Sequence, residues 1–187
     1  MTGYRMPHRK IYVQPGECRL TSQPAVLCTV LGSCVGITFL VPRLGVGVLC
    51  HPMMPQCHAA QWDRLSVAAG RRYVDFAVRN IAGKLDLLGA VRAEVVVKVF
   101  GGNDVLISCS GASARTIGRL NGESALRVLG EEGFLVAVSC LGGAAGVHIA
   151  FETTTDDVLL RRLESGLRDR AVQAARTVRC PLGADRS

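Results

Sequence analysis

Ala25-Val26-Leu27-Cys28-Thr29-Val30-Leu31, Gly32-Ser33-Cys34 and Val35-Gly36-Ile37-Thr38-Phe39-Leu40-Val41 follow one another without a charged residue. The two outer pieces are apolar and partly β-branched, which predicts two buried strands, with Cys34 at the junction between them. Pro42-Arg43-Leu44-Gly45 then turns the chain into Val46-Gly47-Val48-Leu49-Cys50-His51, a third strand whose end is fixed by Pro52. Strands joined by so short a turn pair antiparallel, which carries the start of one close to the end of its neighbour. That pairing brings Cys34 and His51 together.

Outward from this core, Ile11-Tyr12-Val13 reads as a short strand entering a turn over residues 14–20, punctuated by Pro15 and Gly16. Downstream, Leu65, Ala69, Tyr73, Phe76, Ala77, Ile81 and Leu85 recur at helical spacing, predicting a helix over 64–88 with Gly89 as its cap. A strand over 93–100 stops at Gly101-Gly102, a helix over 117–131 ends near Gly133, and a strand over 134–140 stops before Gly142-Gly143. A further strand covers 147–152. At the end, Leu159, Leu160, Leu163, Leu167, Ala171 and Ala174 fit a helix begun by Thr155, Asp156 and Asp157. A hairpin at 154–157 feeding a strand over 158–163, with a helical tail, fits nearly as well. The expected class is α/β: one layered domain, a mixed β-sheet packed with helices.

The chain has 187 residues and 49% hydrophobic content with few aromatics, which describes one ordinary globular core. No apolar run reaches the roughly 18 residues of a membrane span, and no apolar stretch follows the basic start, so a cytoplasmic protein without membrane insertion is expected. Eight cysteines without an export signal read as reduced thiols, several of them, such as Cys109 and Cys140, buried as small hydrophobes. The net charge of +7 is scattered along the chain with no arginine-rich run among aromatics. That argues against nucleic acid as a partner and suits an acidic protein surface.

Cysteine at pH 7 is mostly the unreactive thiol and needs a base to become a nucleophile. His51 can take the Cys34 proton and return it to a leaving amine, and a hydroxyl such as Thr29 or Ser33 can orient the ring. Glycines beside Cys34 let other backbone approach and leave N–H groups for an oxyanion. The bland alternative is that Cys34 is simply core. Metal is the competing constellation: Cys28, Cys34, Cys50, His51, Cys57 and His58 could supply zinc ligands, although adjacent Cys-His pairs do not have structural-zinc spacing. Gly101-Gly102-Asn103 and Gly142-Gly143 match no phosphate-binding motif and read as turns. Met53-Met54 is either core or an adaptable apolar rim for a protein partner.

Leu31-Gly32-Ser33-Cys34-Val35-Gly36, His51-Pro52-Met53-Met54-Pro55, Lys98-Val99-Phe100-Gly101-Gly102, Ile117-Gly118 with Asn121, and Gly142-Gly143 with Gly146 stand in the order seen in the CheD chemoreceptor glutamine deamidases. The chain resembles that family over roughly residues 10–163. The resemblance implies an α/β domain similar to that of cytotoxic deamidase toxins, spanning 11–163, between a flexible segment 1–10 and a helical or disordered tail 164–187. It implies a catalytic set of Cys34 as nucleophile, His51 as base and Thr29 as third member, with Gly32, Ser33, Gly101 and Gly102 binding an oxyanion or substrate. No cofactor or metal is implied. The implied substrates are glutamines on the cytoplasmic helices of methyl-accepting chemotaxis receptors, with methyl-ester hydrolysis as a side activity and a CheC-type phosphatase as a further partner. A non-catalytic module that binds receptor or phosphatase is the alternative. Arg119 and Leu120 stand where the family usually has Glu-Arg, and Val147 where an arginine usually follows Gly146.

Overall fold

The computed structural model describes residues 9–104, 116–163 and 176–178. Among these residues ten strands form two five-stranded sheets. β1 (Arg9–Tyr12), β3 (Ala25–Leu31), β8 (Val147–Glu152), β9 (Val158–Arg162) and β10 (Arg176–Val178) lie in that order in the first. The second runs β2 (Cys18–Thr21), β5 (Val46–Cys50), β4 (Val35–Val41), β6 (Val96–Gly101) and β7 (Val136–Leu141). Each has one parallel pair, β1 with β3 and β6 with β7, so both are mixed sheets. Where one mixed sheet was expected there are two, and the apolar strands flanking Cys34 belong to different sheets.

Period-two alternation along β4 sets the layers. Val35, Ile37, Phe39 and Val41 face α3 (Val74–Leu87) and α4 (Ile117–Glu131), packing with Val78, Ile81, Leu85, Val128 and Leu129. Its other face turns to the first sheet, where Leu40, Leu49 and Phe100 meet Leu27, Leu31, Ile149, Phe151 and Val158. β4 is buried on both faces at all seven residues, and each such large side chain contributes on the order of 1.5–3 kcal/mol. The expected antiparallel pairing of β4 and β5 is present, Ile37 opposite Cys50 and Val41 opposite Val46.

Three expectations change. The helix over 64–88 is broken into α2 (Val67–Gly70), preceded by α1 (Ala59–Trp62), and α3. Tyr73 is extended (φ −99°, ψ 135°) and bridges Met54, while the Arg72 carbonyl accepts the Met53 and Met54 N–H groups at 2.8 and 3.0 Å. Holding the segment after His51 thus takes 71–73 out of the helix. The supposed turn over 14–20 contains β2, whose Cys18 and Leu20 pack on the helix-side core. The chain end takes the hairpin: Val158 is buried and Leu159 exposed, a strand's alternation, and β10 within the segment read as a helical or disordered tail pairs antiparallel with β9. The rest of that tail, residues 1–8 and Cys109 lie outside the described residues.

A buried ion pair sits between the sheets. Lys98 on β6 is fully buried, and its Nζ lies 2.8 Å from Asp156 Oδ2 in the β8–β9 turn. Asp156 has a left-handed backbone (φ 62°). Burial pushes its carboxyl pKa up, and the Lys98 ammonium pulls it back down.

Candidate active site

Thr29 and His51 meet at one end of the layer between the sheets, beside the loop that carries Cys34. On β5, Val46, Val48 and Cys50 face the helices while Leu49 faces the first sheet, so His51 also points to the first sheet. There Thr29, alternating with Leu27 and Leu31 on β3, meets it: Oγ1 and His51 Nδ1 are 2.7 Å apart. The same hydroxyl donates its single proton to the Val13 carbonyl at 2.8 Å. Oγ1 therefore accepts from His51, Nδ1 carries the ring proton, and Nε2 is left with its lone pair free. The backbone of His51 is fixed on both sides, its N–H donating to Glu17 O at 2.8 Å and its carbonyl accepting from Gly16 at 2.7 Å.

Cys34 lies in the crossing from one sheet to the other and is half-buried. Continuing the β4–β5 register places Gly36 opposite His51, and Val35 N–H donates to Pro52 O at 3.3 Å. Gly36, two residues beyond Cys34, puts no side chain opposite His51. Burial raises the Cys34 thiol pKa, opposed by its own backbone N–H, and burial lowers the His51 pKa, opposed by the Val13 carbonyl. Both groups rest neutral at pH 7.

The glycines at the end of β6 support the Cys34 loop. Gly102 N–H donates to Cys34 O, and Asn103 N–H to Gly32 O, each at 2.8 Å. Gly101 has φ 92°, and a Cβ there would stand 2.5 Å from Cys34 O. The Gly102 N–H is thus already engaged by the Cys34 carbonyl, so of the oxyanion- or substrate-binding role expected of Gly102 the oxyanion part is not open to that N–H. Gly32 and Ser33 are in the loop itself, half-buried beside Cys34. Gly142 and Gly143 follow the end of β7 with positive φ of 81° and 116°.

α4 supplies side chains that sequence reasoning did not place in the site. Asn121, fully buried, donates through Nδ2 to Ser33 O at 2.8 Å and Met53 O at 2.9 Å, and Ser124 Oγ donates to Pro55 O. The signal available was Asn121 on the buried face with Gly118 and Ala125, a polar residue at core spacing. Arg119 is exposed and paired with Glu123, and Val147 lies in the core between the sheets, so these departures do not touch Cys34 or His51. Exposed Met54 forms an apolar edge nearby. A cavity of about 310 Å³ lined by Leu40, Pro42 and Thr153 lies at the opposite end of β4.

The six candidate zinc ligands do not converge. Cys50 faces the helices opposite Cys18, while His51 faces the other way. Burial raises the Cys50 pKa well above its ordinary value, and the neighbouring Cys18 thiol raises it further. Cys57 is buried with its N–H on the Asp75 carboxylate at 3.0 and 3.2 Å, and His58 is exposed. Among the described residues no three His, Cys, Asp or Glu side chains form a metal-ligating group, and no helix is long and apolar enough to cross a membrane.

Residues 53–162 match the family profile described as CheD chemotactic sensory transduction. That match begins just after His51. Named relatives extend further: a probable chemoreceptor glutamine deamidase CheD 2 of Geobacter sulfurreducens is 35% identical over 85% of this chain and 92% of its own length. A probable chemoreceptor glutamine deamidase CheD of Maridesulfovibrio salexigens is 33% identical over 83% of this chain and 93% of its own. Among solved structures, hypothetical protein YfiH of Bacillus licheniformis is 10% identical with a TM-score of 0.42, covering 74% of this chain and 61% of that one, a likeness too distant to carry weight.

Proposed function

The chain belongs to the CheD family, and from that premise we propose that it deamidates glutamine side chains on chemoreceptors through a Cys34 thioester, with His51 as base and Thr29 as the residue that orients it. The observation that carries the reading is the Val13–Thr29–His51 chain of hydrogen bonds, which leaves Nε2 as the basic nitrogen of the ring. Nε2 takes the thiol proton as Sγ attacks the amide carbon. The tetrahedral oxyanion is met by N–H groups of the Gly32–Cys34 loop, Cys34's own among them. Collapse breaks the C–N bond, the imidazolium proton goes to the departing ammonia, and a thioester remains. His51 then deprotonates a water that attacks the thioester, leaving glutamate and the free thiol. A glutamate methyl ester would react in the same way and lose methanol.

Neutral Cys34 and neutral His51 suit this order of events, because the proton moves as the sulfur attacks and no standing ion pair is required. The net charge of +7 suits acidic segments around the target glutamines. A CheC-type phosphatase is a further partner on this reading. The test is mass spectrometry of a receptor cytoplasmic fragment incubated with the protein: a gain of about one dalton per modified site, as amide hydrolysis requires, that is absent with Cys34→Ala. An unchanged receptor with the folded wild-type protein overturns the reading in favour of a binding module.

A further inference from the structure

The geometry points to Asn121 as a positioning residue that sets the spacing of Cys34 and His51 by holding both of their loops with one amide group. This rests on the reading of Cys34 and His51 as the reacting pair. The two protons of Nδ2 go to two different catalytic segments: Ser33 O, the residue before Cys34, at 2.8 Å, and Met53 O, two residues after His51, at 2.9 Å. Both partners are carbonyls and can only accept, so the orientation of the amide is fixed by its surroundings. Between those segments the direct backbone link is the long Val35–Pro52 bond at 3.3 Å.

Three features indicate that this position is built for the donors. Asn121 is fully buried, and its Oδ1 has no hydrogen-bond partner. A buried acceptor left unmade lowers stability, so the residue retains a loss that an apolar side chain on this core face would avoid. The helix is also brought unusually near: a Cβ at Gly118 would stand 2.7 Å from both Gly102 O and Asn103 O, so α4 presses on the strand end that carries the Cys34 carbonyl. Ser124, one turn on, ties the helix to Pro55 O alone. It therefore anchors the His51 segment without touching the Cys34 loop, whereas Arg119, exposed and paired with Glu123 on the same helix, reaches neither segment and is the control.

Alkylation of Cys34 by iodoacetamide, followed by peptide mapping, tests this without any receptor. With His51 correctly placed, His51→Ala slows alkylation at neutral pH. In an Asn121→Ala background, His51→Ala is expected to change the rate less than about twofold, because the base no longer reaches the thiol; contact-dependent coupling of this kind is what a double-mutant cycle isolates. In an Arg119→Ala background the full His51 effect is expected to persist. Asn121→Ser, which keeps one donor and so can hold only one loop, serves if Asn121→Ala does not fold, and is expected to weaken the coupling in part. A full His51 effect in folded Asn121 variants overturns the proposal, whatever the loss of thermal stability. If wild-type alkylation is itself indifferent to His51, the reacting-pair reading falls first, and with it the role assigned to Asn121.

Discussion

Thr29→Val keeps the shape of the side chain and removes the hydroxyl that joins His51 to Val13. His51 is only 2% exposed, so its Nδ1–H loses an acceptor where water cannot replace it. A buried donor left unmade costs about 1–3 kcal/mol, which corresponds to about 5–160-fold if the whole of it falls on the reacting tautomer. The Val13 carbonyl lies close enough to oppose the lowering of the His51 pKa, so it can take over part of the bond, and a loss of about tenfold in kcat is expected from that partial replacement. Thr29→Ser keeps the hydroxyl and should retain most activity. The assay is the initial rate of deamidation of a receptor fragment, followed by mass spectrometry across substrate concentrations. Thr29→Val at wild-type kcat, or Thr29→Ser as impaired as Thr29→Val, would refute the assignment of Thr29 as the residue that fixes the tautomer.

Burial lowers the His51 pKa, so its base form persists below the ordinary value of about 6.5, and the acid limb of kcat/KM is expected below that pH. The same shift sets a stability trend. The unfolded chain binds the proton first, so His51's contribution is complete above about pH 6.5 and is lost as pH falls through the depressed folded value; His51→Gln should flatten that part of a denaturation-versus-pH curve. Asp156→Ala leaves the Lys98 ammonium buried without its carboxylate and should destabilise by about 3–5 kcal/mol in urea unfolding, whereas Lys98→Met with Asp156→Leu should recover much of this. Gly101→Ala combines a left-handed backbone with a Cβ 2.5 Å from Cys34 O, and should lower kcat well beyond Gly83→Ala, where a Cβ meets nothing within 4 Å.

The strands around Cys34 were legible because each is a continuous apolar run closed by Gly or Pro, and the turn at 42–45 leaves β4 and β5 one way to pair. What could not be read is how faces are shared. β4 looks the same in sequence whether it borders one sheet or lies between a sheet and two helices, so the division into two sheets was hidden. The break at 71–73 follows from the Arg72 carbonyl serving Met53 and Met54, a long-range demand that helical spacing does not record. Lys98 reads as an ordinary strand residue because its partner is 58 positions away in a turn. For the candidate site, Cys34, His51 and Thr29 could be named from residue chemistry and family resemblance, and the Thr29–His51 bond is present at 2.7 Å. Asn121 carried no chemistry of its own in the sequence; its significance lies in which two carbonyls it reaches. That the Gly102 N–H is engaged by Cys34 O was hidden as well, because a Gly-Gly strand end does not show in the sequence which carbonyl it meets.

The central claim is a thioester on Cys34, and its most direct test is to quench the protein with acid while it turns over a glutamine-containing receptor peptide and to map the adducts. The account predicts an adduct on the Cys34 peptide equal in mass to the substrate less ammonia, removed by hydroxylamine and absent from Cys34→Ala. Deamidation that proceeds with no adduct at Cys34, or that survives Cys34→Ala, would contradict it.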